Sequence, residues 1–151
     1  TLFYRWDDKS CFLPSALKLN QEMLLLLEEN STIKKIILLG HSYGGILLTW
    51  FIENWTSNTP IEIHTIASPL AGLDSISNSC NYVPPKQRNK NVKSVQWKTI
   101  KTLDNAFKDL SYDPQLINFK GHEVRNLPDK YKGKRLGHNW SVSYVADEII
   151  F

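Results

Sequence analysis

The segment Gly40-His41-Ser42-Tyr43-Gly44-Gly45 constrains the fold of this chain more than any other. Before it runs a near-continuous aliphatic stretch, residues 33–39, rich in β-branched side chains, as in a strand buried on both faces. After it, Ile46, Leu47, Leu48, Trp50, Phe51 and Ile52 suit a buried helix that Asn58, Thr59 and Pro60 bring to an end. A strand feeding a helix through a glycine-rich turn is a unit of an open, parallel sheet, and strand-like and helix-like stretches alternate along the whole chain. Residues 2–6 read as a short strand. Ala16, Leu19, Met23, Leu26 and Leu27 then fall at spacings of three and four, which predicts one apolar face of a helix opening near Pro14. Residues 61–67 and 95–103 read as further strands, and 124–127 as a weak last one. Asp113 and Pro114 open a short helix, and residues 140–150 form a terminal one. The expected class is therefore α/β: one domain over residues 1–151, with an open, mostly parallel sheet and helices on both faces. Residues 70–92 lack clean periodicity and read as an excursion off the sheet.

Composition narrows the function classes. Eighteen Lys and Arg against fifteen Asp and Glu leave a net charge of +3, too weak to argue for nucleic acid. The five tryptophans are scattered rather than spaced as a stacking platform, which again disfavours nucleic acid. The longest uncharged run, residues 36–52, is too short and too interrupted by glycine, His41 and Ser42 for a membrane helix. No HExxH, EF-hand, Walker or dinucleotide-binding pattern occurs, so neither metal nor cofactor is expected. Two cysteines, Cys11 and Cys80, exclude a disulfide-rich scaffold and leave open one bridge or two buried thiols. Two basic clusters, Lys86 to Lys101 and Lys130 to Arg135, read as solvated faces or as attractors of an anionic substrate or lipid.

The turn carries chemistry of its own. It reads G-x-S-x-G and lies between a buried strand and a helix. A serine on a sharp turn, with strained backbone angles, exposes its hydroxyl above the sheet. Side chains at positions 40 and 44 would collide with that turn, and the helix behind places amide dipoles under the hydroxyl. The Tyr43 N–H would point at a developing oxyanion. The bland alternative is a glycine-rich turn that binds nothing or cradles a phosphate.

The run Ile36-Ile-Leu-Leu-Gly-His-Ser-Tyr-Gly-Gly-Ile resembles the nucleophile elbow of α/β-hydrolases, and its His-Ser-x-Gly-Gly form is similar to lipases and esterases. Thr65-Ile-Ala-Ser-Pro-Leu-Ala-Gly resembles the segment after the next strand in lipase-like members. The resemblance extends over nearly the whole chain in element order, and only the elbow is motif-specific. It implies ester hydrolysis, on a small-molecule or lipid ester, with triad members in the order Ser, then Asp or Glu, then His. Ser42 is the implied nucleophile, with Gly40, His41, Gly44 and Gly45 forming the elbow.

For the base, His138 follows the last strand's loop and precedes the last helix, where the family's base sits; its alternative is a loop histidine capping that helix. His41 reads as packing, His64 as a structural histidine within a strand, and His122 lies at the wrong end of its strand. Asp104, after the strand at residues 95–103, is the implied acid, with Asp109, Asp113 and Asp74 as rivals. Residues 70–92 fall where family members insert a cap or lid, and Leu70, Leu73, Ile76 and Tyr82 could line an acyl pocket. By order, the strand at residues 2–6 matches the family's fourth. The chain is thus expected to lack the first strands and the loop that supplies a second oxyanion donor, as in a fragment of a longer hydrolase or a minimal one. A non-catalytic binding module of the same fold and an acyltransferase on the same triad are the alternatives.

Overall fold

In the computed structural model, which describes residues 1–149, parallel strands are laid side by side in the order in which they occur. Helix α1 (Phe12–Glu29) precedes β1 (Ile36–His41), and α2 (Tyr43–Asn54) carries the chain across to β2 (Ile61–Ile66). A short α3 (Asp74–Cys80) lies inside the excursion before β3 (Val92–Lys98). A single 3-10 turn (Lys101–Leu103) and a long loop lead to β4 (His122–Asn126). A two-stranded antiparallel ribbon, β5 (Lys130–Tyr131) and β6 (Lys134–Arg135), and helix α4 (Ser141–Glu148) complete the described chain. The four-stranded sheet has the order β1-β2-β3-β4, every pairing parallel, with Ile36 opposite Ile61, Ile61 opposite Val92 and Ser94 opposite His122. The class is α/β.

Alternation along the strands divides the apolar side chains between two cores. Ile61, Ile63 and Val92 pack with Phe12, Ala16 and Met23 of α1 and Ile46, Phe51 and Ile52 of α2 on one face. Ile66, Val95 and Trp97 pack with Leu127, Leu136 and Val145 of α4 on the other. Helices thus cover both faces.

Several local expectations are corrected. Residues 2–6 form no strand: Leu2 and Phe3 are exposed, while Tyr4 and Trp6 pack onto the first core. Their alternation serves attachment to α1, where the Tyr4 hydroxyl donates to the Ser15 carbonyl at 2.9 Å. β1 starts at Ile36 because residues 30–33 form a turn, closed by the Ile33 N–H on the Asn30 carbonyl. It is not buried on both faces. As an outer strand it turns Ile36 and Leu38 to the first core, and Leu39, on the other face, is 42% exposed.

Asp113 and Pro114 open no helix. Asp113 Oδ1 accepts the Gln115 N–H at 3.1 Å, a side-chain turn that competes with helix formation. The strand expected at 95–103 ends at Lys98 and gives way to the 3-10 turn, and the last strand is His122–Asn126 rather than 124–127. The terminal helix spans Ser141–Glu148, and Ile150 lies outside the described residues. Cys11 and Cys80 are joined in a disulfide, which ties the start of α1 to the end of α3 and anchors the excursion at residues 70–92. Among the described residues no helix is long and apolar enough to cross a membrane.

Candidate active site

The site forms where β1 and β3 release the chain at their carboxyl ends, the edge at which open parallel sheets place their functional loops. Ser42 is the single residue between β1 and α2. Its backbone sits at φ 53°, ψ −122°, a region that costs a non-glycine residue about 1–3 kcal/mol. Two bonds hold it there: the Ser42 N–H reaches the Ile66 carbonyl at 2.9 Å, and the Ser42 carbonyl accepts the Gly45 N–H at 3.0 Å. Its hydroxyl makes no cap to its own helix, so it stays available at the amino-terminal end of α2, where the first amides, Tyr43 and Gly44, precede the helix's internal hydrogen bonds.

The glycines of the turn have unequal reasons. A Cβ at position 40 would lie 2.6 Å from the Gly44 carbonyl oxygen and 2.8 Å from Leu48. One at position 45 would lie 1.9 Å from Ser68 Oγ and 2.6 Å from Ser68 Cβ. One at position 44 would meet nothing within 4 Å. The expected collision at 44 is therefore corrected to 45, where α2 crosses the buried Ser68 beyond β2. Ser68 was not legible as part of the turn, since its contact with Gly45 depends on the helix crossing.

Tyr43 follows the serine. Its hydroxyl donates to the Ser10 carbonyl at 3.1 Å, its ring packs on Trp6 with centroids 5.0 Å apart, and Cys80 Sγ lies 3.8 Å from the hydroxyl.

Asp104 ends the 3-10 turn and is fully buried. His138 Nδ1 lies 3.0 Å from its Oδ1 and 3.1 Å from its Oδ2. Oδ1 also accepts the Ala106 N–H at 2.9 Å, and Oδ2 the Thr99 hydroxyl at 2.6 Å. Burial pushes the Asp104 carboxyl up, but the hydrogen bond from His138, then that from Thr99, outweigh it and hold the group below its ordinary value. A carboxylate can only accept here, so Nδ1 carries a proton and Nε2 is the ring nitrogen left to act as an acceptor.

His138 is held from three sides. Phe107 meets its ring edge-on at 5.2 Å, the His41 ring lies 4.7 Å away, and His41 Nε2–H donates to the His138 carbonyl at 3.0 Å. Ser141 Oγ donates to the same carbonyl. His41, expected to point elsewhere as packing, instead braces the loop that carries His138. Burial, then the nearby His138, push the His41 imidazole below its ordinary value, and it donates as the neutral ring. No direct bond joins Ser42 Oγ to His138 among the described residues; His41, next to Ser42 in sequence, brings the two to the same end of the sheet.

The rival groups lie away from this pair. Asp113 pairs with Lys98 at 3.3 Å, Asp74 opens α3, and Asp109 is exposed. His64 is clamped between Glu62 and the Trp97 indole N–H, and His122 bonds Ser94 at 2.9 Å at the amino end of β4. Lys35 and Lys93 hold the Glu62 carboxyl down at about 2, against the opposing effect of burial, which is the largest single influence.

Leu70 and Tyr82 are core residues, the Tyr82 hydroxyl donating to the Leu70 carbonyl at 2.8 Å; Ile76 packs against the same core and Leu73 precedes α3. A hollow of about 450 Å³ beside His138 is lined by Asn105, Ala106, Arg135, Gly137, Asn139 and Trp140 as well. Of the second basic cluster, Lys132 pairs with Asp147 at 2.7 Å and Lys134 lies over the Trp140 ring. Among the described residues no group of three or more histidine, cysteine or acidic side chains is placed to hold a metal ion.

No protein-family model matches this chain, and no curated protein or solved structure matches it significantly.

Proposed function

We propose that the chain is a lipase/esterase-like α/β-hydrolase domain that cleaves carboxylic esters through an acyl-enzyme on Ser42, Asp104 and His138. The observation that carries this reading is the pairing of buried Asp104 with half-buried His138, 3.0 Å apart, at the same sheet edge as a serine held at φ 53° between strand and helix. His138 Nε2 takes the proton from Ser42 Oγ as the oxygen attacks the carbonyl. Asp104 keeps the tautomer and stabilises the imidazolium. The Tyr43 N–H donates to the oxyanion, and Nε2 returns the proton to the departing alcohol. A water molecule then follows the same route to release the acid.

Tyr43 is the one oxyanion donor this reading assigns, and one such donor is worth on the order of a hundredfold or more in rate. The absence of a Ser42–His138 bond among the described residues favours a second reading: a binding module of the same fold without turnover. An acyltransferase would use the same residues with an alcohol or thiol in place of water.

The test is fluorophosphonate labelling read by intact mass, on the chain and on Ser42→Ala and His138→Ala. A single adduct that disappears in both variants supports the hydrolase. A folded chain that takes no adduct turns the case to the binding module.

A further inference from the structure

Behind the Asp104–His138 pair lies a second layer of buried polar groups to which the proposed reaction gives no part. Thr99 stands just past the end of β3 and is 1% exposed; Gln115, from the loop before β4, is fully buried. Thr99 Oγ1 lies 2.6 Å from Asp104 Oδ2 and 3.1 Å from Gln115 Oε1. A hydroxyl has one proton, and the shorter contact to a charged acceptor takes it. The Thr99 hydroxyl therefore points at the carboxylate.

Gln115 fixes Thr99 in turn. Its Oε1 accepts the Thr99 N–H at 2.9 Å, and its Nε2 donates to the Thr99 carbonyl at 3.1 Å. The side-chain amide thus pairs with both peptide groups of Thr99, as a neighbouring strand would. The remaining Nε2 proton reaches Asp113 Oδ1 at 3.2 Å, and the Gln115 carbonyl accepts from Gln96 in the middle of β3. The connection from the sheet to the carboxylate is direct at every link.

The carboxylate needs this support. His138 Nδ1 is almost equidistant from its two oxygens, so the histidine alone does not fix the carboxylate plane. The Ala106 N–H fixes one oxygen and the Thr99 hydroxyl the other.

We propose that Thr99, locked by Gln115, is a positioning residue that sets the plane of the Asp104 carboxylate against His138. Its effect on rate rests on the triad reading given above; its effect on the Asp104–His138 hydrogen bond does not. The experiment compares Thr99→Val, which keeps the shape and removes the hydroxyl, with Thr99→Ser, which restores it. Two readouts are taken on folded protein: the far-downfield proton resonance of His138 Nδ1–H, and the kinetics of Ser42 phosphonylation by a fluorophosphonate.

Thr99→Val is expected to shift or broaden the resonance. It is also expected to slow the maximal labelling rate about tenfold, with the half-saturating probe concentration unchanged, and Thr99→Ser to recover both. A wild-type resonance in Thr99→Val, or no such resonance in the wild-type chain, overturns the proposal. If the wild-type chain is never labelled but its resonance changes in Thr99→Val and returns in Thr99→Ser, the positioning role stands and the hydrolase reading fails. Should Thr99→Val not fold, Thr99→Ala, which puts no methyl against the carboxylate, is read in the same ways.

Discussion

Ser42 is placed by backbone: a strand end, a helix start, two main-chain hydrogen bonds and two glycines whose missing Cβ atoms let α2 approach Gly40 and Ser68. Asp104 and His138 are placed by side chains: a threonine hydroxyl, a glutamine amide, a second histidine and a phenylalanine ring, most of them drawn from loops. The two halves should therefore fail differently. On the hydrolase reading, a polar change on the Asp104–His138 half should cost more activity than stability. A volume change on the serine half acts first on stability, because it forces two backbones apart.

The largest effect is expected from Asp104→Asn. The amide keeps the shape but presents a donor where His138 Nδ1–H needs an acceptor, which favours the wrong tautomer. If the proposed ester cleavage is this chain's reaction, its maximal rate should fall on the order of 10,000-fold. Phosphonylation of Ser42 should fall with it, while the thermal midpoint moves far less than activity. Near-wild-type turnover in Asp104→Asn would show that the carboxylate only supports the loop.

This difference also governs what the sequence discloses. The serine half is written locally: aliphatic run, G-x-S-x-G and a second aliphatic run specify strand, turn and helix within neighbouring residues. The resemblance implied Asp104 and His138 by chain order, and the structure pairs them. Their supports were not legible. His41 reaches the His138 carbonyl across 97 positions, and Thr99 meets Gln115 across 16, distances over which no periodicity carries information. The strand expected at residues 2–6 failed for a related reason. Alternating apolar residues report a half-buried surface, and in this chain that surface is the attachment to α1 rather than a sheet neighbour.

On the serine half, Gly45→Ala is expected to cost about 1–3 kcal/mol, since the added methyl overlaps Ser68 Cβ as well as Oγ. For a chain of this length that lowers the thermal midpoint by roughly 3–10 °C. Combining it with Ser68→Gly should recover part of the loss, a coupling that a double-mutant cycle measures directly. Additive losses would show that the contact is not what excludes a side chain at 45.

Acid should separate the halves more gently. Burial pushes His41, His64 and His122 below their ordinary value, so the unfolded chain binds protons that the folded chain refuses. Stability therefore falls as pH drops below about 6.5. Glu62, held down at about 2, and Asp104, also held low, add a second loss as pH falls below the ordinary carboxylate range. Denaturant midpoints followed against pH should decline in those two steps. Asp104→Asn should flatten the lower step, and Ser42→Ala should change neither. A midpoint that rises on acidification from neutral pH would reverse the assigned directions.

The smallest effect is expected one residue from one of the largest. A Cβ at position 44 meets no atom within 4 Å, and Gly44 lies in the first turn of α2, where alanine is the better helix former. Gly44→Ala should thus hold the thermal midpoint within the equivalent of about 0.5 kcal/mol of wild type, or raise it slightly. The open space also gives the variant a second use. Position 44 lies two residues past Ser42, so the variant also tests whether the space a new methyl would fill is on the path to the serine. A normal midpoint with slowed phosphonylation would place the probe's path over Gly44. A normal midpoint with normal labelling would leave that glycine's role to the backbone of the turn alone. A large loss of stability would show that α2 packs more tightly at 44 than at 45, the reverse of the order that the Cβ distances give.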